Sequence, residues 1–282
     1  MENTIKIDSR RMNRPLVAFV TPAEPDPSRS DQFHSWVNLT NGRFFGAKGT
    51  PEEIAKEHGL AYLPDDQVAI NRGADIRVRS YTPADASANG GRPLKTEIST
   101  GKGDGRRWHY LSADPDSVAR SVFPDNEIIT IHRDRIPKSQ IVFYESYEPR
   151  EDDAMQNAQG SARLLSGRSI RSELTPEEFA FEHGFNHLKT GHGDNIAFNP
   201  SLTYISEAVD PATINAKTNS DKNWQSRVSW EGPTRQESKL LLAPIEAADP
   251  VVFKTAPQAS RRPAPKADKP ASPASGLDDG PI

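Results

Sequence analysis

The chain has 282 residues, seven histidines and no cysteine, which limits what it could catalyse. Without cysteine there are no disulfides, no thiol nucleophile and no cysteine-zinc site. His183, His187 and His192 are spaced like metal ligands. However, His187 and His192 span a Gly-containing loop and no carboxylate is placed to complete a shell, so no metal is expected. His58 and His183 fall at helix C-termini, where a histidine suits the helix dipole. The run Gly101-Lys102-Gly103-Asp104-Gly105-Arg106-Arg107 is basic but lacks the strand-loop-helix frame and spacing of a phosphate loop. Arg171, Ser206 and Glu237 remain, and each alone has an ordinary reading. Arg171 beside Glu173 reads as a surface ion pair, Ser206 as a strand hydroxyl bonded to backbone, and Glu237 ahead of Lys239 as a solvated strand start.

The elements that would position these residues come from a duplication. Thr50-Pro51-Glu52-Glu53-Ile54-Ala55-Lys56-Glu57-His58-Gly59-Leu60 returns as Thr175-Pro176-Glu177-Glu178-Phe179-Ala180-Phe181-Glu182-His183-Gly184-Phe185, identical at eight positions and 125 residues apart. Gly42-Arg43 and Gly167-Arg168 precede the two strings at the same separation. Tyr110-Leu111-Ser112 with Asp114 to Val118 is matched to Tyr204-Ile205-Ser206 with Asp210 to Ile214. Glu127 ahead of Ile141-Val142-Phe143 is matched to Glu237 ahead of Val251-Val252-Phe253. Four ordered anchors imply two copies of a unit of roughly a hundred residues. The repeated string itself is what a short capped helix needs: Thr as N-cap, Pro at the first helical position, acidic residues in the first turn and Gly as the left-handed stop.

Around these helices the pattern predicts short strands at Leu16 to Val20, Arg43 to Phe45, Trp108 to Ser112, Glu127 to His132 and Gln140 to Tyr144, with a second short helix from Pro115 to Ser121. Residues 82–106 read as a flexible loop inserted in the first copy. The expected division is an N-terminal strand and linker at 1–32, a first module at 33–147, a linker at 148–166, a second module at 167–256 and a disordered tail at 257–282. Only 34% of the chain is hydrophobic and 24 residues are proline, so apolar material must be concentrated in the repeats. A net charge of −4 with well-mixed signs gives no basic footprint for nucleic acid. No segment has the length and apolarity of a membrane span, and the start is polar, so a cytoplasmic chain is expected, exported if at all without a cleaved signal.

The chain resembles the cholera- and pertussis-toxin type of mono-ADP-ribosyltransferase. The resemblance rests on Ile170-Arg171-Ser172-Glu173 leading into Thr175-Pro176-Glu177-Glu178 and Gly184-Phe185, on Tyr204-Ile205-Ser206, and on Arg235-Gln236-Glu237 ahead of Ala243-Pro244. In the first copy it rests on Pro51 to Ile54 with Gly59-Leu60, on Tyr110 to Ala113, and on Glu127 ahead of Ile136-Pro137-Lys138-Ser139-Gln140-Ile141. It implies an α+β fold of two tandem modules, each of small, mostly antiparallel sheets with short helices around a cleft. It also implies NAD as substrate and a protein acceptor, in a host cell if the chain is a toxin or effector. Glu237 would stabilise the oxocarbenium-like centre formed when the nicotinamide-ribose bond breaks. Arg171 would hold the dinucleotide by charge-assisted hydrogen bonds, Ser206 would orient Glu237, and Tyr204 would help form the NAD site. The first copy departs from the pattern, with Phe45 where the arginine belongs and Ile129 in register with the catalytic glutamate. In the second, Ser206-Glu207-Ala208 lacks the family's Thr and second Ser, and Arg235 replaces its Gln or Glu. The resemblance therefore leaves two readings: an NAD-dependent transferase or glycohydrolase active in its second module, or an inactive relative that binds protein.

Overall fold

The computed structural model describes residues 4–24, 33–82, 93–101, 106–191, 193–218, 222–232 and 235–253. The expected tail at 257–282 lies outside them.

The two repeated helices, α1 (Pro51–His58) and α3 (Pro176–His183), are fixed by identical local chemistry. Thr50 Oγ1 accepts from Glu53 N at 3.2 Å while Glu53 accepts from Thr50 N at 2.8 Å, and Thr175 and Glu178 repeat this reciprocal capping box. Both helices stop at a left-handed glycine, Gly59 (φ 63°) and Gly184 (φ 67°). Each packs on a five-stranded antiparallel sheet.

The first sheet runs in the order β5-β4-β3-β7-β6, from β3 (Val17–Pro22), β4 (Ser35–Leu39), β5 (Phe44–Ala47), β6 (Ala61–Leu63) and β7 (Val68–Ile70). The other has order β15-β14-β13-β17-β16, from β13 (Ile141–Ser146), β14 (Gly160–Leu164), β15 (Ser169–Ser172), β16 (Asn186–Lys189) and β17 (Asn195–Phe198). The central strands β3 and β13 are buried along Val17–Val20 and Ile141–Tyr144 because both faces of their sheets are covered. One face carries the capped helix and a two-stranded hairpin, and the other carries further strands and a helix. A strand covered on both sides reads as an unbroken apolar run rather than an alternation.

The hairpins are β1–β2 (Thr4–Ile7, Arg10–Asn13) and β11–β12 (Ile128–Ile131, Asp134–Pro137), turning at Asp8 (φ 52°) and His132 (φ 51°). On the opposite face lie β8 (Arg77–Ser80), β9 (Thr96–Thr100) and β10 (Arg107–Leu111) with helix α2 (Pro115–Val122). Their counterparts are β18 (Ile205–Ala208), β19 (Ser226–Glu231) and β20 (Gln236–Leu241) with α5 (Ile245–Val252). Helix α4 (Pro211–Thr218) connects β18 to β19.

Buried polar clamps repeat with the topology. Asn71 Nδ2 donates to Arg14 O and Val17 O, both at 2.7 Å, and Asn199 Nδ2 donates to Lys138 O at 2.8 Å and Ile141 O at 2.7 Å. Asp66 accepts from Ser112 N and Ala113 N, as Asp194 does from Leu242 N and Ala243 N. Thr96 Oγ1 donates to Ala113 O and Ser226 Oγ to Ala243 O. The copies thus run from 4 to 123 and from 128 to 253.

The fold is α+β, mostly antiparallel, with few short helices. Several expectations need adjustment. The stretch 148–166, expected as a linker, supplies β14, second in its sheet. The loop expected at 82–106 contains β9, while 83–92 and 102–105 lie outside the described residues. Ile141 to Phe143 lies in the central strand of the second copy's five-stranded sheet as the counterpart of Val17 to Phe19, not of Val251 to Phe253. Tyr110 to Ser112 answers Leu240 to Leu242, whereas Ile205 and Ser206 sit in β18, the counterpart of β8. In sheet register, Arg171 faces Ser161 and the equivalent pair is Gly46 with Trp36, so Gly46 rather than Phe45 holds the arginine's place in the first copy.

The two copies are joined by strand pairing. β12 adds to β8 in register Asp134↔Arg79 and Arg135↔Val78, completing a sheet ordered β10-β9-β8-β12-β11. Asp134, 1% exposed, takes a bidentate bond from Arg77, with Nη2–Oδ2 at 2.6 Å. Arg135 bonds Asp116 of α2 at 2.5 Å, and Arg168 bonds Asp75 across the same joint.

Candidate functional site

The second copy's three-stranded sheet, β18-β19-β20, brings Ser206 and Glu237 onto one sheet. Ser206 is opposite Val228, which is opposite Lys239, and Trp230 is opposite Glu237. Val228 and Trp230 belong to the core under β13 and β17. The polar residues on this face are tied down at its margins. Lys239 bonds Glu145 of β13 with its ammonium 5.5 Å from the Phe143 ring, and Glu237 pairs with Arg163 Nη2 of β14 at 3.4 Å. Ser206 Oγ donates to Asp249 of α5.

Tyr204 is committed to the core. It is buried, its ring meets Phe198 edge-on, and its hydroxyl donates to Val142 O at 2.6 Å. Burial pushes its pKa well above the usual tyrosine value.

Arg171 belongs to a different cluster. It is on the edge strand β15, where Nη1 bonds Asp153 Oδ1 at 2.5 Å and the guanidinium lies 4.5 Å over the Tyr147 ring. Tyr147 donates its hydroxyl to the same carboxylate, which raises the tyrosine's pKa. The bond from Tyr147, then that from Arg150 N, hold Asp153 below the usual carboxylate range. Arg171, Ser206 and Glu237 therefore have three separate partners on three separate elements.

Of the clefts that adjoin this sheet, two reach Gln236. The larger, about 580 Å³, is lined by Leu165, Leu202, Ile205, Trp230, Glu231 and Gln236 among others. The smaller, about 240 Å³, is lined by residues including Glu207, Arg227, Gln236 and Glu237. Neither described lining includes Arg171, Ser206 or Tyr204. Glu207, Glu231 and Glu237 give these linings three carboxylates against the single guanidinium of Arg227, which is already bonded to Glu207 at 2.7 Å. With Glu237 paired to Arg163 as well, the linings offer a pyrophosphate no unengaged cation. Among the described residues no cluster of His, Asp or Glu could hold a metal ion, and His192 lies outside them.

Several of these partners escape the sequence reading. Arg163 sits in the stretch read as a linker, and Asp153 and Asp249 have no motif around them. The clamps do leave a signal: Asp66-Gln67-Val68-Ala69-Ile70-Asn71 and Asp194-Asn195-Ile196-Ala197-Phe198-Asn199 share Asp, Ala and Asn at one spacing. No helix among the described residues is long and apolar enough to cross a membrane. Compared with family models, curated proteins and solved structures, the chain matches none.

Proposed function

We propose that this chain is a non-catalytic, protein-binding member of the ADP-ribosyltransferase-like proteins, built from two tandem units. One observation carries the reading: the three side chains that would have to converge on NAD are each engaged elsewhere, Arg171 by Asp153 and Tyr147, Ser206 by Asp249, and Glu237 by Arg163. Transition-state stabilisation needs donors and charges preorganised about one reacting centre.

A second reading, NAD transfer or hydrolysis, is favoured by one feature. Glu237 and Gln236 both line a cleft, with a guanidinium, Arg163, beside the carboxylate. Titration calorimetry of the full chain with NAD separates the two. The expected result is no saturable heat up to millimolar NAD, with NAD hydrolysis equal to the buffer rate. Saturable binding together with turnover lost in a folded Glu237→Ala variant would replace the binding reading with the enzymatic one.

A further inference from the structure

The joint between the copies uses two surfaces that the chain also presents unpaired at its ends. In the middle of the chain, β8 offers an outer edge and β12 fills it. In the second copy the counterpart of β8 is β18, and among the described residues no strand lies on its outer side. In the first copy the counterpart of β12 is β2, whose outer side is likewise unpaired. Burial follows this difference. Asp134 is 1% exposed and Arg135 half-buried within the joint, whereas their counterparts Arg10 and Arg11 of β2 are exposed and Ile205 of β18 is 61% exposed.

We propose that the β1–β2 hairpin of one chain adds to the β18 edge of a second copy, repeating the internal joint between molecules in the order β20-β19-β18-β2-β1. This extends the binding reading above by naming a partner.

Charge complementarity selects a second copy. Transferring the internal register onto the ends sets Arg10 opposite Glu207 where Asp134 faces Arg79, and Arg11 opposite Ser206 where Arg135 faces Val78. Within the joint Asp134 bonds Arg77 rather than the facing Arg79, and Ile205 stands in the place of Arg77, so at the ends the facing pair Arg10 and Glu207 would itself supply the attraction. The other ion pair of the joint does carry over. In the joint, Arg135 of β12 bonds Asp116 in the first turn of α2, and the corresponding residues at the ends are Arg11 and Glu246 in the first turn of α5. Helix α5 packs beside β18 as α2 packs beside β8, so a slot of the same construction stands open.

The hairpin is also preorganised. Ile5 and Ile7 are buried in the core of their own unit with Met12 packed against them, so only the outer edge of β2 is free to pair. Edge pairing then supplies backbone hydrogen bonds, and the side chains supply register. The contact is head-to-tail, so a chain that uses one end leaves the other open for a further copy.

The test is the mass of the full chain in solution, by sedimentation equilibrium from micromolar to several hundred micromolar. Mass should rise with concentration through dimer to larger species. Arg10→Glu alone and Glu207→Arg alone should each weaken association at least tenfold, since each sets like charges opposite one another. Mixing the two variants should restore association, because both junctions in the mixture again join opposite charges. A wild-type chain that stays monomeric throughout overturns the proposal. So does association unchanged by either reversal, or not restored by mixing. Circular dichroism melts of the single variants matching wild type separate a lost contact from a lost fold. NAD calorimetry reads nucleotide binding and sedimentation reads self-association, so failure of one reading is distinguishable from failure of the other.

Discussion

Gly160 and Tyr144 show how far single positions in the two copies have drifted while keeping one backbone. A Cβ placed on Gly160 would lie 2.1 Å from Tyr144 Cε1. The ring cannot yield: it stacks on Phe179 with centroids 4.0 Å apart, and its hydroxyl donates to Leu174 O at 2.6 Å. In the first copy Ser35 holds the position of Gly160, and the residue beneath it is Val20, which leaves room for a side chain. Gly160→Ala should therefore destabilise the protein by about 1–3 kcal/mol through overpacking. Adding Tyr144→Val should recover part of that loss despite removing an aromatic ring. Urea unfolding of the single and double variants checks both signs, and additive losses would argue against the steric account. The same drift put Arg171 where the first copy has Gly46, whose own Cβ would lie 2.4 Å from the Phe33 ring. The arginine is thus present in one copy alone, tied to Asp153 and Tyr147 nearby.

At the scale of elements, the capped helices are the most constrained pieces of the chain, which is why their sequence survived. Backbone bonds from Thr50 and Thr175 hold the Glu53 and Glu178 carboxyls below their ordinary value. A carboxyl depressed by folding adds stability that is present above its unfolded pKa, about 4.5, and is lost as pH falls through the folded value. Glu178→Gln should therefore lower Tm at pH 7 and flatten its decline below pH 4.5. Thr175→Ala should cost about 1 kcal/mol. Thermal melts from pH 7 to pH 3 check the first expectation, and urea titration the second. An unchanged acid limb in the glutamine variant would mean that the cap does not couple to proton uptake.

For the molecule as a whole, the decisive feature is a sheet shared by both copies. Asp134 lies within it with its side chain 2% exposed and bonded twice to Arg77. Removing one member of such a pair leaves the other charge without its partner, at a cost of about 3–5 kcal/mol for a fully buried pair. Arg77 is 29% exposed in its side chain, which places the expected loss for Asp134→Ala at the lower end. The wild type should unfold in one transition because the copies share strands. Asp134→Ala should separate it into two, resolved by calorimetry. A single transition with unchanged midpoint would show that the joint does not couple the units.

Much of this architecture was legible in the residues because it is enforced locally. Thr-Pro-Glu-Glu with a following Gly specifies a two-turn helix wherever it stands, and its recurrence announced the duplication. The apolar run at Leu16 to Val20 announced a strand, and its packing showed that both faces are buried. Other features depend on partners far away in sequence. That β14 is a strand rather than a linker depends on β13 beside it, and that the second copy begins at the hairpin β11–β12 depends on β8, whose edge the hairpin covers. The sequence by itself determined the two capped helices, the doubling and the composition that excludes thiol and disulfide chemistry, because caps, stops and residue types act at short range. Only the tertiary structure decided where the repeat divides and that Arg171 pairs with Asp153 and Tyr147 while Ser206 and Glu237 pair with Asp249 and Arg163. Strand pairing and ion-pair partners are set by contacts dozens of residues apart, which no local pattern encodes.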